Sequence, residues 1–206
     1  MTGQADGIIA TYLDPAPRDL SKRAFMRTKP EKRLLKSVMN GVPGTSMAPW
    51  GRVLGEERAG ALVDHVLENL TGGEPRQPSG RKVPAMNPVA YSEQSVGRGE
   101  AIFLTRCWGC HGKKADGHGP NAEDIVPRPR NLRNTPFIES VGYQRLHGSI
   151  KYGVQGTAMP AFIDLALSDE EIGDLINFVY SVSLQPPEGT GAGPADAGAV
   201  SEEVKQ

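Results

Sequence analysis

The sequence predicts an all-α chain of two related units in tandem, and three observations predict it. The chain matches itself at an offset of 112 residues, no stretch alternates as a half-buried strand would, and its clearest periodic segment is helical. In that segment Ile172, Leu175, Ile176 and Val179 recur at i, i+3, i+4 and i+7, with Ser168 and Glu171 spaced as a capping box.

The repeat pairs Pro15, Pro17, Arg18 and Leu20 with Pro127, Pro129, Arg130 and Leu132, and then Phe25 with Phe137 and Leu34 with Leu146. The same register sets "GVPGTSMAPW" (41–50) on "GVQGTAMPAF" (153–162), so that Met47 falls on Met159 and Trp50 on Phe162. After one extra residue in the second copy, Gly60, Leu62, Val63 and Val66 meet Gly173, Leu175, Ile176 and Val179. The repeat divides the chain into a first unit at 1–70, a linker at 71–90 that is rich in Gly, Pro and Ser, a second unit at 91–184, and a tail at 185–206 too poor in apolar residues to repay ordering.

Within the second unit, 95–107 is expected to be a helix with Ala101, Ile102 and either Phe103 or Leu104 turned inward. A middle helix near 139–151 is interrupted by Gly142 and Gly148. In the first unit the equivalent helices fall at 31–39, with Pro30 suited to the first helical position, and at about 56–69.

Composition narrows the function classes. Of 206 residues, 25 are Gly and 17 Pro, which favours loops and short helices, and units this small often need a bound group to hold a core. The net charge of −1 argues against a nucleic-acid binder and leaves any docking patch local. No segment approaches the roughly 20 apolar residues of a membrane helix, and the N-terminus has neither the basic nor the long apolar region of an export signal.

The chemistry concentrates in "CWGCH", 107–111. Two thiols and an imidazole within one helical turn suit thioether attachment of a haem through Cys107 and Cys110, with His111 reaching the iron from one face. Two other readings use the same residues. A thioredoxin-like redox pair would require a preceding strand in a βαβ unit, and a zinc-stabilised interaction module would require His118 or His147 as a further ligand. A haem is favoured by the loop 48 residues beyond His111, where Gly153, Gly156 and Pro160 shape the backbone and Met159 offers a soft thioether to iron.

Taken together, Gly99 and Phe103, "CWGCH", "ADGHGP", "GTAMP" and a last helix carrying Phe178 and Tyr180 make the second unit resemble a class I cytochrome c domain. The resemblance implies tandem class I cytochrome c-like domains, the first incomplete, whose complete copy carries heme c. It implies that the first and last helices cross, with Gly99 close to Phe178 or Tyr180. It further implies that the carbonyl of Pro120 accepts a hydrogen bond from the axial histidine's Nδ1. Asp116, Gly117 and Gly119 resemble a loop of bacterial domains of this type, or else form an ordinary turn. Arg128, Arg130 and Arg133 are the positive charges nearest in sequence for the haem's propionates.

The expected role is electron transfer through a His111/Met159-ligated heme c, as a carrier or as the cytochrome subunit of a respiratory or periplasmic oxidoreductase. The partners would be a redox donor and acceptor, including a membrane-bound respiratory complex, on the extracytoplasmic side of the membrane. A haem enzyme or ligand sensor with an open iron position is the alternative. His65 is expected at the surface and His118 in a solvated turn.

Aligning "ADG" at 5–7 with "ADG" at 115–117 places Met1 opposite His111, so the first unit lacks its own CxxCH. Three readings fit. The protein starts farther upstream and binds a second haem, another chain supplies the missing half, or the unit is a haem-free copy kept for packing. Retention of the Gly-Thr-x-Met loop and its aromatic favours the first.

Overall fold

The computed structural model describes residues 3–70, 81–163 and 167–184. The proposed tail, 185–206, and the first half of the linker lie outside the described residues. The described helices are α1 (Arg23–Met26), α2 (Glu31–Asn40), α3 (Gly51–His65), α4 (Glu93–Arg106), α5 (Trp108–His111), α6 (Thr135–Tyr152) and α7 (Asp169–Ser183). A 3-10 turn lies at Ala10–Tyr12 and a single π turn, Val66–Leu70, continues α3. No strand occurs among the described residues, so the architecture is all-α.

The second unit is built on the crossing of α4 and α7. A Cβ at Gly99 would strike the carbonyl oxygen of Asp174 and come within 2.9 Å of the Phe178 Cβ, so glycine is what lets the two backbones meet. Phe103 stacks obliquely on Phe178 with ring centroids 5.0 Å apart, and Ile172, Leu175 and Ile176 complete the core. Phe103 is the inward residue of α4, while Leu104 and Ala101 face solvent.

Polar residues lock the same crossing. Asp174 accepts from Ser95 Oγ and Arg98 Nε, each at 2.6 Å. Asn177 donates to Ser95 at 2.8 Å. The second half of the linker is irregular but anchored: Asn87 donates to the Gly173 carbonyl and to Asn177, and Tyr152 donates to the Lys82 carbonyl at 2.7 Å. At its N-terminus α7 carries the complete capping box of Ser168 and Glu171.

The middle helix is longer than the sequence predicts. Asn134 caps it by accepting from the Phe137 N–H, so helical structure begins at Thr135, and Gly142 (φ 67°) breaks it into two segments. The first unit repeats this plan as α1 and α2, with Pro30 at the position equivalent to Gly142. Pro30 precedes the first helical residue, Glu31, instead of occupying that position. Gly55 (φ 69°) likewise divides α3, leaving the expected helix from residue 56 onward.

Repetition extends to single hydrogen bonds. Val42 N–H donates to the Met47 carbonyl as Val154 does to Met159, and the Thr45 and Thr157 hydroxyls each bond the carbonyl three residues back, at 2.8 and 2.7 Å. Gly41 and Gly153 have φ of 68° and 65°. The register differs in one place from the expectation. Leu20 N–H donates to the Gly3 carbonyl as Leu132 does to Ala115, so the offset of 112 continues to the start of the described chain. The two "ADG" triplets are therefore not structural equivalents, and residue 1 corresponds to Lys113, not His111.

The repeats interlock reciprocally. Gly44 packs so closely on Asn134 and the Phe137 N–H that no side chain would fit, and Asn134 donates to the Gly44 carbonyl at 2.6 Å. Its counterpart Gly156 lies equally close on Phe25. Each methionine loop thus rests on the short helix of the other unit.

Candidate functional site

Cys107 ends α4 and α5 carries the motif through one turn, with His111 N–H bonded to the Cys107 carbonyl at 2.9 Å. So short a helix leaves its carbonyls unsatisfied. The following loop supplies the donors: Gly117 N–H bonds the His111 carbonyl, Gly119 the Cys110 carbonyl and Asn121 the Gly109 carbonyl, at 2.8, 3.1 and 2.9 Å. "ADGHGP" is therefore a backbone brace for the motif. Gly119 is required in it, because a Cβ there would run into the carbonyls of Trp108 and Gly109.

His111 Nδ1 lies 3.0 Å from the carbonyl oxygen of Arg130, the geometry of a donated hydrogen bond. The expectation for Pro120 is thus corrected. Its neighbours Gly119 and Asn121 are spent on the back of α5, which leaves Pro120 exposed, while the "PRPRNL" segment returns beneath the ring, fixed by the bond from Leu132 to Ala115. Orientation by a main-chain acceptor leaves Nε2 as the ligating nitrogen. Burial pushes the imidazole below its usual value and the Arg130 bond acts against it, so the ring is neutral and able to bind a metal.

Cys107, Cys110, His111 and Met159 all line one cavity of about 560 Å³. Phe103, Leu132, Phe137, Ile150, Phe162 and Ile176 are among its apolar walls. That volume is in the range of sites that enclose a small organic molecule. Burial raises the Cys107 thiol to about 11, against the pull of Arg106. Met159 is half-buried, its N–H held at 3.2 Å by the Thr157 hydroxyl.

The other histidines do not join this set. His118 is exposed and sits on Asp116, His65 contacts Asn69 at the surface, and His147 is fully buried with Nε2 3.0 Å from Asp169. Among the described residues no three His, Cys, Asp or Glu side chains converge as a metal site, which removes the zinc reading. The absence of a strand among those residues removes the thioredoxin-like one. A flat, largely apolar group that uses two thiols, an imidazole and a thioether fits the cavity.

Of the three arginines expected near the propionates, Arg128 and Arg130 line the cavity and Arg133 does not. Sequence reasoning missed Arg18, Lys29, Arg33 and Arg145, which do. The signal was available in part: Arg33 and Arg145, like Arg18 and Arg130, stand 112 residues apart.

The crossing helices, the braced C-x-x-C-H turn and the methionine loop define a cytochrome c-like domain, and the cytochrome c family model matches residues 96–183. Members of that family are typically electron carriers and not catalysts. Over 43 residues the chain is 44% identical to cytochrome c55X of Pseudomonas aeruginosa, a match covering 21% of this chain and 36% of that one. The chain thus spans about a third of that curated relative's length. A chain of the reducing HAO-like protein complex of Kuenenia stuttgartiensis superposes with a TM-score of 0.63 at 26% identity, covering 88% of each chain. That likeness extends well beyond the domain at 96–183.

Proposed function

We propose that the protein transfers electrons through one heme c held by its second unit, residues 91–184. Cys107 and Cys110 form the thioethers, and His111 and Met159 are the axial ligands. The observation that carries this reading is that these four side chains, brought from three separate segments, line a single apolar cavity. Bound there, the haem supplies a one-electron couple with both axial positions filled, its potential raised by the methionine ligand.

The chain's own residues do the rest. The Arg130 carbonyl orients His111, and the loop from Gly112 to Asn121 fixes the turn that presents the thiols. Thr157 and the two loop glycines hold Met159 against the cavity, and Phe103 with the α7 side chains excludes water. The first unit, residues 1–70, is read as a related half that supports the site across the interface. Redox proteins are the donor and acceptor, a role supported by the likeness to a chain of a multi-subunit complex. No helix among the described residues is long and apolar enough to cross a membrane, and placement in the periplasm is part of the proposal.

The reading is tested on the holoprotein by optical redox titration and exposure of the reduced form to carbon monoxide. A reversible one-electron couple, a methionine-to-iron band at the red end of the oxidised spectrum and slow carbon monoxide binding are expected. Rapid binding of carbon monoxide would overturn the axial assignment in favour of an open-site sensor or enzyme.

A further inference from the structure

Where the two repeats meet, the cavity is walled by positive charge. Arg18, Lys29 and Arg33 of the first repeat stand there with Arg130 and Arg145 of the second, and the lining contains no Asp or Glu. Four of the five are two repeat-related pairs, Arg18 with Arg130 and Arg33 with Arg145. The copies are also held alike: the Arg18 guanidinium lies 4.1 Å from the Phe25 ring centroid and that of Arg130 4.1 Å from Phe137, with Lys29 Nζ 4.2 Å over Phe25.

Among the described residues none of these cations makes an ion pair with a carboxylate, and one terminal nitrogen of Arg130 is buried without a hydrogen-bond partner. Asp14 acts on Arg130 only at longer range. Burial, then mutual repulsion, lowers Lys29 to about 7 and Arg18 and Arg145 to about 10. Like charges gathered in a half-buried place oppose one another unless anions join them.

We propose that Arg18, Lys29 and Arg33 of the first repeat, with Arg130 and Arg145 of the second, form an inter-repeat carboxylate site that takes the propionates of the haem held by Cys107 and Cys110. The inference rests on the haem reading above. It gives the first repeat a part in the redox site: its cations favour the added electron and so raise the potential. The other charged groups facing those propionates are Arg81, Arg106 and Arg128, all basic, from the linker, α4 and the loop before α6.

The test is spectroelectrochemical titration of holoprotein from pH 5 to 8, comparing wild type with Arg18→Gln/Arg33→Gln, with the milder Lys29→Gln, and with the exposed control Lys32→Gln. Haem content by pyridine haemochrome is measured first. A wild type without covalent haem would refute the haem reading itself, separately from this inference. With haem present, the double variant should favour reduction about tenfold less, some 59 mV for a one-electron couple. Lys29→Gln should shift in the same direction and the control should not. Both cluster variants should gain a pH dependence of potential, because a propionate that loses its cations titrates at higher pH. Unchanged potentials and pH profile in Lys29→Gln and the double variant would overturn the proposal. So would thermal stabilisation of the holoprotein by added citrate, lost in the double variant, because the site would then be open to free carboxylates.

Discussion

Replacing Gly99 by alanine tests the helix crossing on which the haem cavity stands. The new methyl would collide with the Asp174 carbonyl and press on Phe178. Neither can yield cheaply. Asp174 is tied to α4 through Ser95 and Arg98, and Phe178 is 6% exposed and stacked on Phe103. Alanine gains up to about 1 kcal/mol over glycine in helix propensity, whereas overpacking costs about 1–3 kcal/mol, and parting α4 from α7 stretches the buried hydrogen bonds at Asp174 as well. The net expectation is a loss of about 1–2 kcal/mol, which for a chain of this size lowers the melting temperature by roughly 2–8 °C. Thermal and urea unfolding of the holoprotein, followed by far-ultraviolet circular dichroism, measure it, with Gly97→Ala on the same helix as a control, since a Cβ there meets nothing within 4 Å. If Gly99→Ala proved as stable as wild type, or more so, the close-approach argument would be wrong.

Three further outcomes follow from the same contacts. Gly119→Ala should disturb the brace behind α5 and lower the covalent haem yield in co-expression with a haem-attachment system, read as haemochrome per mole of protein, whereas Pro120→Ala should leave it unchanged. Met159→Leu should keep the thioether attachment but abolish the red-end band, lower the potential and admit carbon monoxide rapidly. For Asp174, burial raises the carboxyl but the hydrogen bonds from Arg98 and Ser95 outweigh it, so its folded value lies below the ordinary one. Its contribution is then complete above the unfolded value near 3.9 and lost as pH falls through the folded one. Asp174→Asn should be less stable than wild type at pH 7, with the gap narrowing below about pH 4.

Local signals were legible in the sequence and through-space ones were not. The capping box at Ser168, the apolar face of α7, the repeat and the interruption at Gly142 all depend on neighbours within a few residues or on a fixed offset, and each is found where it was read. Phe103 and Leu104 are adjacent apolar residues, and only the position of α7 decides that Phe103 goes inward. The acceptor for His111 was misplaced at Pro120 because sequence proximity favoured the next loop, while the carbonyl that reaches the ring lies 19 residues away on a segment whose path is set by one bond to Ala115. Motif proximity also favoured the wrong pairing of the "ADG" triplets. The cationic wall was missed because half of it comes from the other repeat, and an isolated Arg18 or Lys29 carries no sign of what it faces.

The central claim is a haem covalently joined to Cys107 and Cys110, and intact mass with peptide mapping of protein from a haem-attaching host tests it most directly. The account predicts a mass increment of one haem, retained under denaturation and confined to the peptide containing residues 107–111. An unmodified "CWGCH" peptide, or a tetrapyrrole released into acid acetone, would contradict it.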